Sequence, residues 1–132
     1  MTKYLYIVDD EEFIRNALTR ELRRWSDEAG LTIRSFADPQ EILKALESDG
    51  ESVWILISDQ RMPFMDGLAL IKTINRKHPS IPGILMTGTI DIESITADNP
   101  PGVFSVIEKP WNHESLIRVL EQASVYRAEL AR

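Results

Sequence analysis

Asp9-Asp10, Asp59, Thr87 and Lys109 are the residues of this chain whose types and spacing suit charge chemistry, and each stands at or one residue past the end of a short apolar run. Three carboxylates, a hydroxyl and an ammonium make a set able to hold a hard cation and an anionic group at one place. In a parallel sheet the carboxyl ends of the strands share one rim, and ligands of open α/β sheets bind there. Carboxylates gathered on such a rim repel one another unless one is protonated or a cation joins them. The chain has no cysteine and only two histidines, so a thiolate or imidazole zinc site is excluded. An all-oxygen site with few protein ligands suits Mg²⁺, or Mn²⁺, which keeps waters and shares a phosphate. Each residue also has an ordinary reading. Acidic pairs start helices, Asp precedes turns, Thr closes strands and Lys before Pro is solvated.

The positioning elements follow from the apolar pattern. The segment from Val53 to Ile57 is continuously apolar and then meets Ser58-Asp59, which predicts a central strand buried on both faces. Strands are also predicted at Lys3–Val8, at Leu31–Phe36 as an edge with one wet face, at Ile84–Met86 and at Phe104–Glu108. Between them, Phe13, Ile14, Ala17, Leu18, Leu22 and Trp25 recur at helical spacing, and Gly30 ends that helix. Asp38-Pro39-Gln40-Glu41 reads as an N-cap, a first-turn proline and a capping box. Asp66-Gly67 opens a third helix closed near His78-Pro79, the segment Ile90–Asp98 is a weak fourth, and Asn112 caps a fifth. Alternating strands and helices predict a doubly wound parallel sheet with right-handed crossovers.

The 132 residues make one domain, 1–132, of ordinary globular composition, 43% apolar and 27% charged. Net charge is −6, so direct nucleic-acid binding by this chain is not expected. The N-terminal apolar run is too short for a signal peptide or membrane span, and the absence of cysteine fits a reducing compartment. The last helix, about 112–132, runs on without a Gly or Pro stop, with Val119, Ala123, Tyr126 and Leu130 at four-three-four spacing. It is expected either to end as a long, frayed terminal helix or to continue into an output module or pair with another chain.

Val8-Asp9-Asp10, the segment from Ser58 to Gly67, Met86-Thr87-Gly88 and Glu108-Lys109-Pro110-Trp111 stand in an order that resembles the receiver domain of two-component response regulators, over nearly the whole chain. The resemblance implies a three-layer, flavodoxin-like fold with five parallel strands in order 2-1-3-4-5 and five helices. It implies that Asp59 accepts a phosphoryl group from a phosphohistidine. Asp10, Asp59 and the Arg61 carbonyl would bind Mg²⁺, and Asp9 would hold a metal-bound water. Thr87 and Lys109 would contact the phosphoryl oxygens, and a cis bond before Pro110 would aim Lys109 inward. The partners implied are a sensor histidine kinase or phosphotransfer protein, an output domain or effector protein, and a second copy on activation, in the cytoplasm. Such a domain works chemistry on itself rather than turning over a substrate. The alternatives are an aspartyl-phosphate phosphatase, which wants Asp-x-Asp after the first strand, and an inert binding module. Flavin or nucleotide binding is disfavoured because no Gly-rich loop follows the first strand.

Receivers commonly carry an aromatic three residues before the lysine, as a readout side chain that swings inward. That position here is Val106, which is β-branched and cannot make the same exchange. By strand alternation, Phe104 is expected on the face of Val106. Arg61 and Thr89, two residues past the acceptor and the threonine, are expected either to be solvated loop residues or to tune access of water to the acyl phosphate.

Overall fold

The central strand, β3 (Val53–Asp59), is buried along almost its whole length because helices cover both faces of the sheet it runs through. The computed structural model describes residues 1–131, apart from the side chains of Thr89 and Ile90; Arg132, the expected end of the last helix, lies outside the described residues. The elements are β1 (Tyr4–Val8), α1 (Glu12–Ala29), β2 (Thr32–Phe36), α2 (Pro39–Asp49), β3, α3 (Gly67–Lys77), β4 (Gly83–Thr87), α4 (Thr89–Asp98), β5 (Val103–Glu108) and α5 (His113–Leu130). All strand pairs are parallel and the order is β2-β1-β3-β4-β5, the flavodoxin-like arrangement expected. Two apolar clusters flank the sheet. One joins Leu18 and Leu22 of α1 to Leu116, Leu120 and Ala123 of α5, and the other joins Ile42, Leu70, Ile71 and Ile95 of α2, α3 and α4.

Local chemistry sets the helix ends. Gly30 takes φ +76 after α1, a left-handed stop that glycine adopts without penalty. Asp66 accepts from the Ala69 N–H at 2.8 Å and Asn112 from the Ser115 N–H at 3.0 Å, so α3 and α5 begin on side-chain caps. Asp38 caps α2 through the Gln40 N–H at 2.6 Å. This replaces the reciprocal box expected with Glu41.

Two expectations about the core need correction. Phe13, predicted on the apolar face of α1, is 75% exposed. It sits in the first turn of α1, above the sheet rim, where no element covers it. Phe104 does not share the face of Val106. The β4–β5 register passes from Gly83↔Val103 to Ile84↔Ser105, so β5 carries one extra residue. Phe104 therefore turns to the α1–α5 side and packs on Tyr126 at 5.4 Å between ring centroids, while Val106 packs on the opposite cluster. The α5 stripe splits in the same way. Ala123 is fully buried, whereas Tyr126 and Leu130 stay 41% and 46% exposed.

The β3–α3 connection contains an unusual backbone. Phe64 has φ +72 and its ring is fully exposed. A left-handed conformation costs a side-chain-bearing residue about 1–2 kcal/mol.

Candidate phosphoacceptor and cation site

The strand ladder brings the candidate residues to one rim. Asp59, the last residue of β3, lies opposite Met86, and the Gln60 N–H donates to the Met86 carbonyl at 2.9 Å. Thr87 ends β4 opposite Glu108, and the Lys109 N–H donates to the Thr87 carbonyl at 2.8 Å. Asp9 follows β1 and its N–H donates to the Phe36 carbonyl at 3.2 Å, continuing the β1–β2 ladder. Backbone pairing thus sets the place of Asp9, Asp59, Thr87 and Lys109 on the rim.

Carboxylate oxygens of Asp9, Asp10 and Asp59 lie within 4.8 Å of one another. Asp9 and Asp59 are buried, at 2% and 8% exposure, and Asp10 is open to solvent. Burial pushes the Asp9 carboxyl above its usual range, and the neighbouring charges of Asp59 and Asp10 push the same way. The Glu11 N–H, donating to Asp9 Oδ1 at 2.9 Å, and the Lys109 ammonium act against them. Lys109 Nζ reaches across the rim to pair with Asp59 Oδ1 and stands 3.8 Å from Asp9 Oδ2. One ammonium among three carboxylates leaves net negative charge. With only oxygen donors present, the set fits a hard divalent cation.

Thr87 supplies a second mark of a site. It is buried at 1% exposure, and its Oγ1 has no hydrogen-bond partner among the described residues. Buried hydroxyls are normally paired, so an unpaired one beside the acidic rim is free to donate to a ligand oxygen or a water.

Pro110 is exposed and the Lys109–Pro110 bond is cis. Val106 is half-buried beside a cavity of about 280 Å³ that it lines with Ile95, Thr96 and Asn99. Arg61 is an exposed loop residue, and its guanidinium pairs with Asp91 of α4 at 2.8 Å. The Thr89 side chain is outside the described residues. Two further contacts had no signal in the sequence. Gln60 Oε1 accepts the Leu68 N–H at 2.9 Å, fastening the β3–α3 loop to α3. Trp111 Nε1 donates to the Glu21 carboxylate at 3.1 Å, with His113 Nδ1 2.8 Å from the same group, fastening the segment after Lys109 to α1.

The Asp9 environment has a direct consequence for stability. Because its folded carboxyl holds a proton more tightly than an unfolded one, stability of the cation-free protein falls as pH rises from the ordinary carboxylate range through the raised value. Asp9→Asn keeps the Oδ1 acceptor and deletes the charge. It should stabilise the cation-free protein at neutral pH, opposite in sign to most substitutions, and flatten that pH slope. Urea unfolding in EDTA at several pH values measures both effects, and the same variant should bind Mg²⁺ more weakly.

The profile of the response regulator receiver domain family matches residues 5–121. The chain is 39% identical over 119 residues to the DNA-binding transcriptional regulator NtrC of Escherichia coli K12, covering 90% of this chain and 24% of that protein. It is 32% identical over 120 residues to the transcriptional regulatory protein FixJ of Bradyrhizobium diazoefficiens, covering 91% of this chain and 56% of the relative. The solved signal receiver domain of an HD domain-containing protein from Pseudomonas fluorescens Pf-5 superposes with a TM-score of 0.83 at 28% identity, over 98% of this chain and 99% of that one. The chain therefore spans about a quarter of the length of the NtrC relatives it matches. With the sheet order, the acidic rim and the family match in agreement, this chain belongs to the response regulator receiver domain family.

Proposed function

We propose that Asp59 is the phosphoacceptor of this receiver domain and that its phosphorylation controls an output domain or effector protein. The observation that carries the reading is the pairing of Lys109 with a buried Asp59 fifty residues away, on a rim already crowded with Asp9 and Asp10. An oxygen of the Asp59 carboxylate attacks the phosphorus of a phosphohistidine. The P–N bond breaks, the imidazole leaves with the electron pair, and a P–O bond forms an acyl phosphate. Hydrolysis by water at phosphorus releases inorganic phosphate and restores the carboxylate. Asp10, Asp59 and the Arg61 carbonyl would hold Mg²⁺ or Mn²⁺ directly, with Asp9 holding a water of its shell. When bound, the cation offsets the charge that three carboxylates would set against an incoming phosphoryl group.

Lys109 keeps Asp59 oriented before transfer and afterwards pairs with a phosphoryl oxygen. Thr87 donates its orphan hydroxyl to another. The donor is a sensor histidine kinase or a phosphotransfer protein in the cytoplasm; among the described residues no helix is long and apolar enough to cross a membrane. The output is linked through α5, whose Val125, Tyr126 and Leu130 stay exposed and offer an apolar face to an adjoining module or a second copy.

The test is incubation with acetyl phosphate and Mg²⁺ followed by intact-mass spectrometry. A single phosphoryl adduct that decays on removal of the donor is expected, and a chain that takes up nothing at any donor concentration refutes the assignment. Thr87→Ala separates the hydroxyl from the fold. No existing hydrogen bond is broken, so unfolding stability should change by no more than about 1 kcal/mol. Uptake should slow about tenfold, the size of one charge-assisted hydrogen bond made only with the phosphoryl group.

A further inference from the structure

Phe64 combines two unfavourable features that one common substitution would each remove. Its ring is fully exposed, and its backbone holds φ +72, where bulky L-residues are rare. Glycine would relieve the backbone and a polar residue would spare the ring from water. The chain carries neither. Nor is the ring hung on a loose coil. The Met65 N–H donates to the Pro63 carbonyl at 2.8 Å, and the Gly67 N–H to the Gln60 carbonyl at 2.9 Å, so the turn that presents it is tied at both ends.

The position of Phe64 decides what can cover it. Phe64 lies five residues past Asp59 in the same connection, and Asp59 is only 8% exposed. A protein that brings a phosphorus atom within bonding reach of so deep a carboxylate must lay its own surface over this loop, whereas a small donor need not. A second copy or an output module seated on Phe64 would close that route, so the phosphodonor is the occupant that fits. We propose that Phe64 is a specificity-determining contact, its ring buried by an apolar patch beside the phosphohistidine of the donor protein. Exposed Pro63 adjoins it in the chain, and Phe13 is a second exposed aromatic at the same end of the sheet, at the start of α1. The inference rests on Asp59 as acceptor, and concerns which donor reaches it rather than whether it is modified.

Wild type, Phe64→Gly and Phe64→Tyr are compared with two donors. One is acetyl phosphate with Mg²⁺. The other is an autophosphorylated histidine kinase domain, chosen from those of the source organism as the one that loads wild type fastest. All three proteins should load equally from acetyl phosphate. Transfer from the kinase domain should fall by about tenfold or more in Phe64→Gly and stay within about twofold in Phe64→Tyr. Phe64→Gly should also melt at a higher temperature than wild type, a gain in stability alongside a loss of transfer that damage to the fold cannot produce. Transfer to Phe64→Gly at the wild-type rate overturns the proposal. Unchanged transfer with altered self-association overturns it too, in favour of a second copy. A wild type that takes nothing from acetyl phosphate overturns the phosphoacceptor reading instead.

Discussion

Asp59→Asn should keep its unmodified mass in acetyl phosphate and Mg²⁺ under conditions that load wild type. The loss of rate is expected to be at least about a thousandfold, because the amide oxygen is a poor nucleophile and nothing else at the site replaces it. Asn has the shape of Asp, so the change should leave β3 and its ladder with β4 in place. It removes one of three clustered negative charges while Lys109 retains Asp9 at 3.8 Å. The variant should therefore unfold no more easily than wild type in EDTA, which separates loss of chemistry from loss of fold. Peptide mapping of the wild-type adduct should place the phosphoryl group on the fragment holding Asp59. An adduct on Asp59→Asn at the wild-type rate would move the acceptor elsewhere, with Asp9 and Asp10 the adjacent carboxylates to examine.

The architecture was legible because its causes are local. A five-residue apolar run ending in Ser58-Asp59 has few places to go other than a doubly covered strand, and β3 is that strand. Asp38, Asp66 and Asn112 mark helix starts through bonds to N–H groups two or three residues on, which a sequence displays directly. Once the strands are parallel, the gathering of Asp9, Asp59, Thr87 and Lys109 follows from topology alone. The features that escaped are those whose partner lies far along the chain. Arg61 meets Asp91, and Trp111 with His113 meets Glu21 across some ninety residues, with no periodicity to announce either. The extra residue in β5 is similar. A bulge leaves the residue types of a strand intact while reversing the face of everything before it, so alternation put Phe104 on the wrong side. Phe13 misleads for a different reason: apolar character predicts burial only where another element of the same chain stands ready to cover it.

Gly67→Ala tests how closely Asp59 depends on the helix that follows it. A Cβ at this position would stand 2.2 Å from the Asp59 carbonyl oxygen, 2.7 Å from Leu85 Cδ1 and 2.9 Å from Ser58 Oγ. Leucine can turn aside, but the carbonyl belongs to a strand end and cannot yield without moving the residue proposed to react. The start of α3 must instead lift away, straining the Gly67 N–H bond to Gln60 and the Leu68 N–H bond to the Gln60 side chain. Overpacking against backbone is expected to cost about 3 kcal/mol. In the population that remains folded, uptake from acetyl phosphate should fall by about tenfold, since small displacements of a reacting group carry penalties of this order. Gly88→Ala is the control, as nothing lies within 4 Å of its added Cβ and its φ of −76 suits alanine. It should cost less than about 1 kcal/mol. Equal urea midpoints for the two variants would show that α3 does not press on the end of β3, and that Asp59 owes its position to the sheet alone.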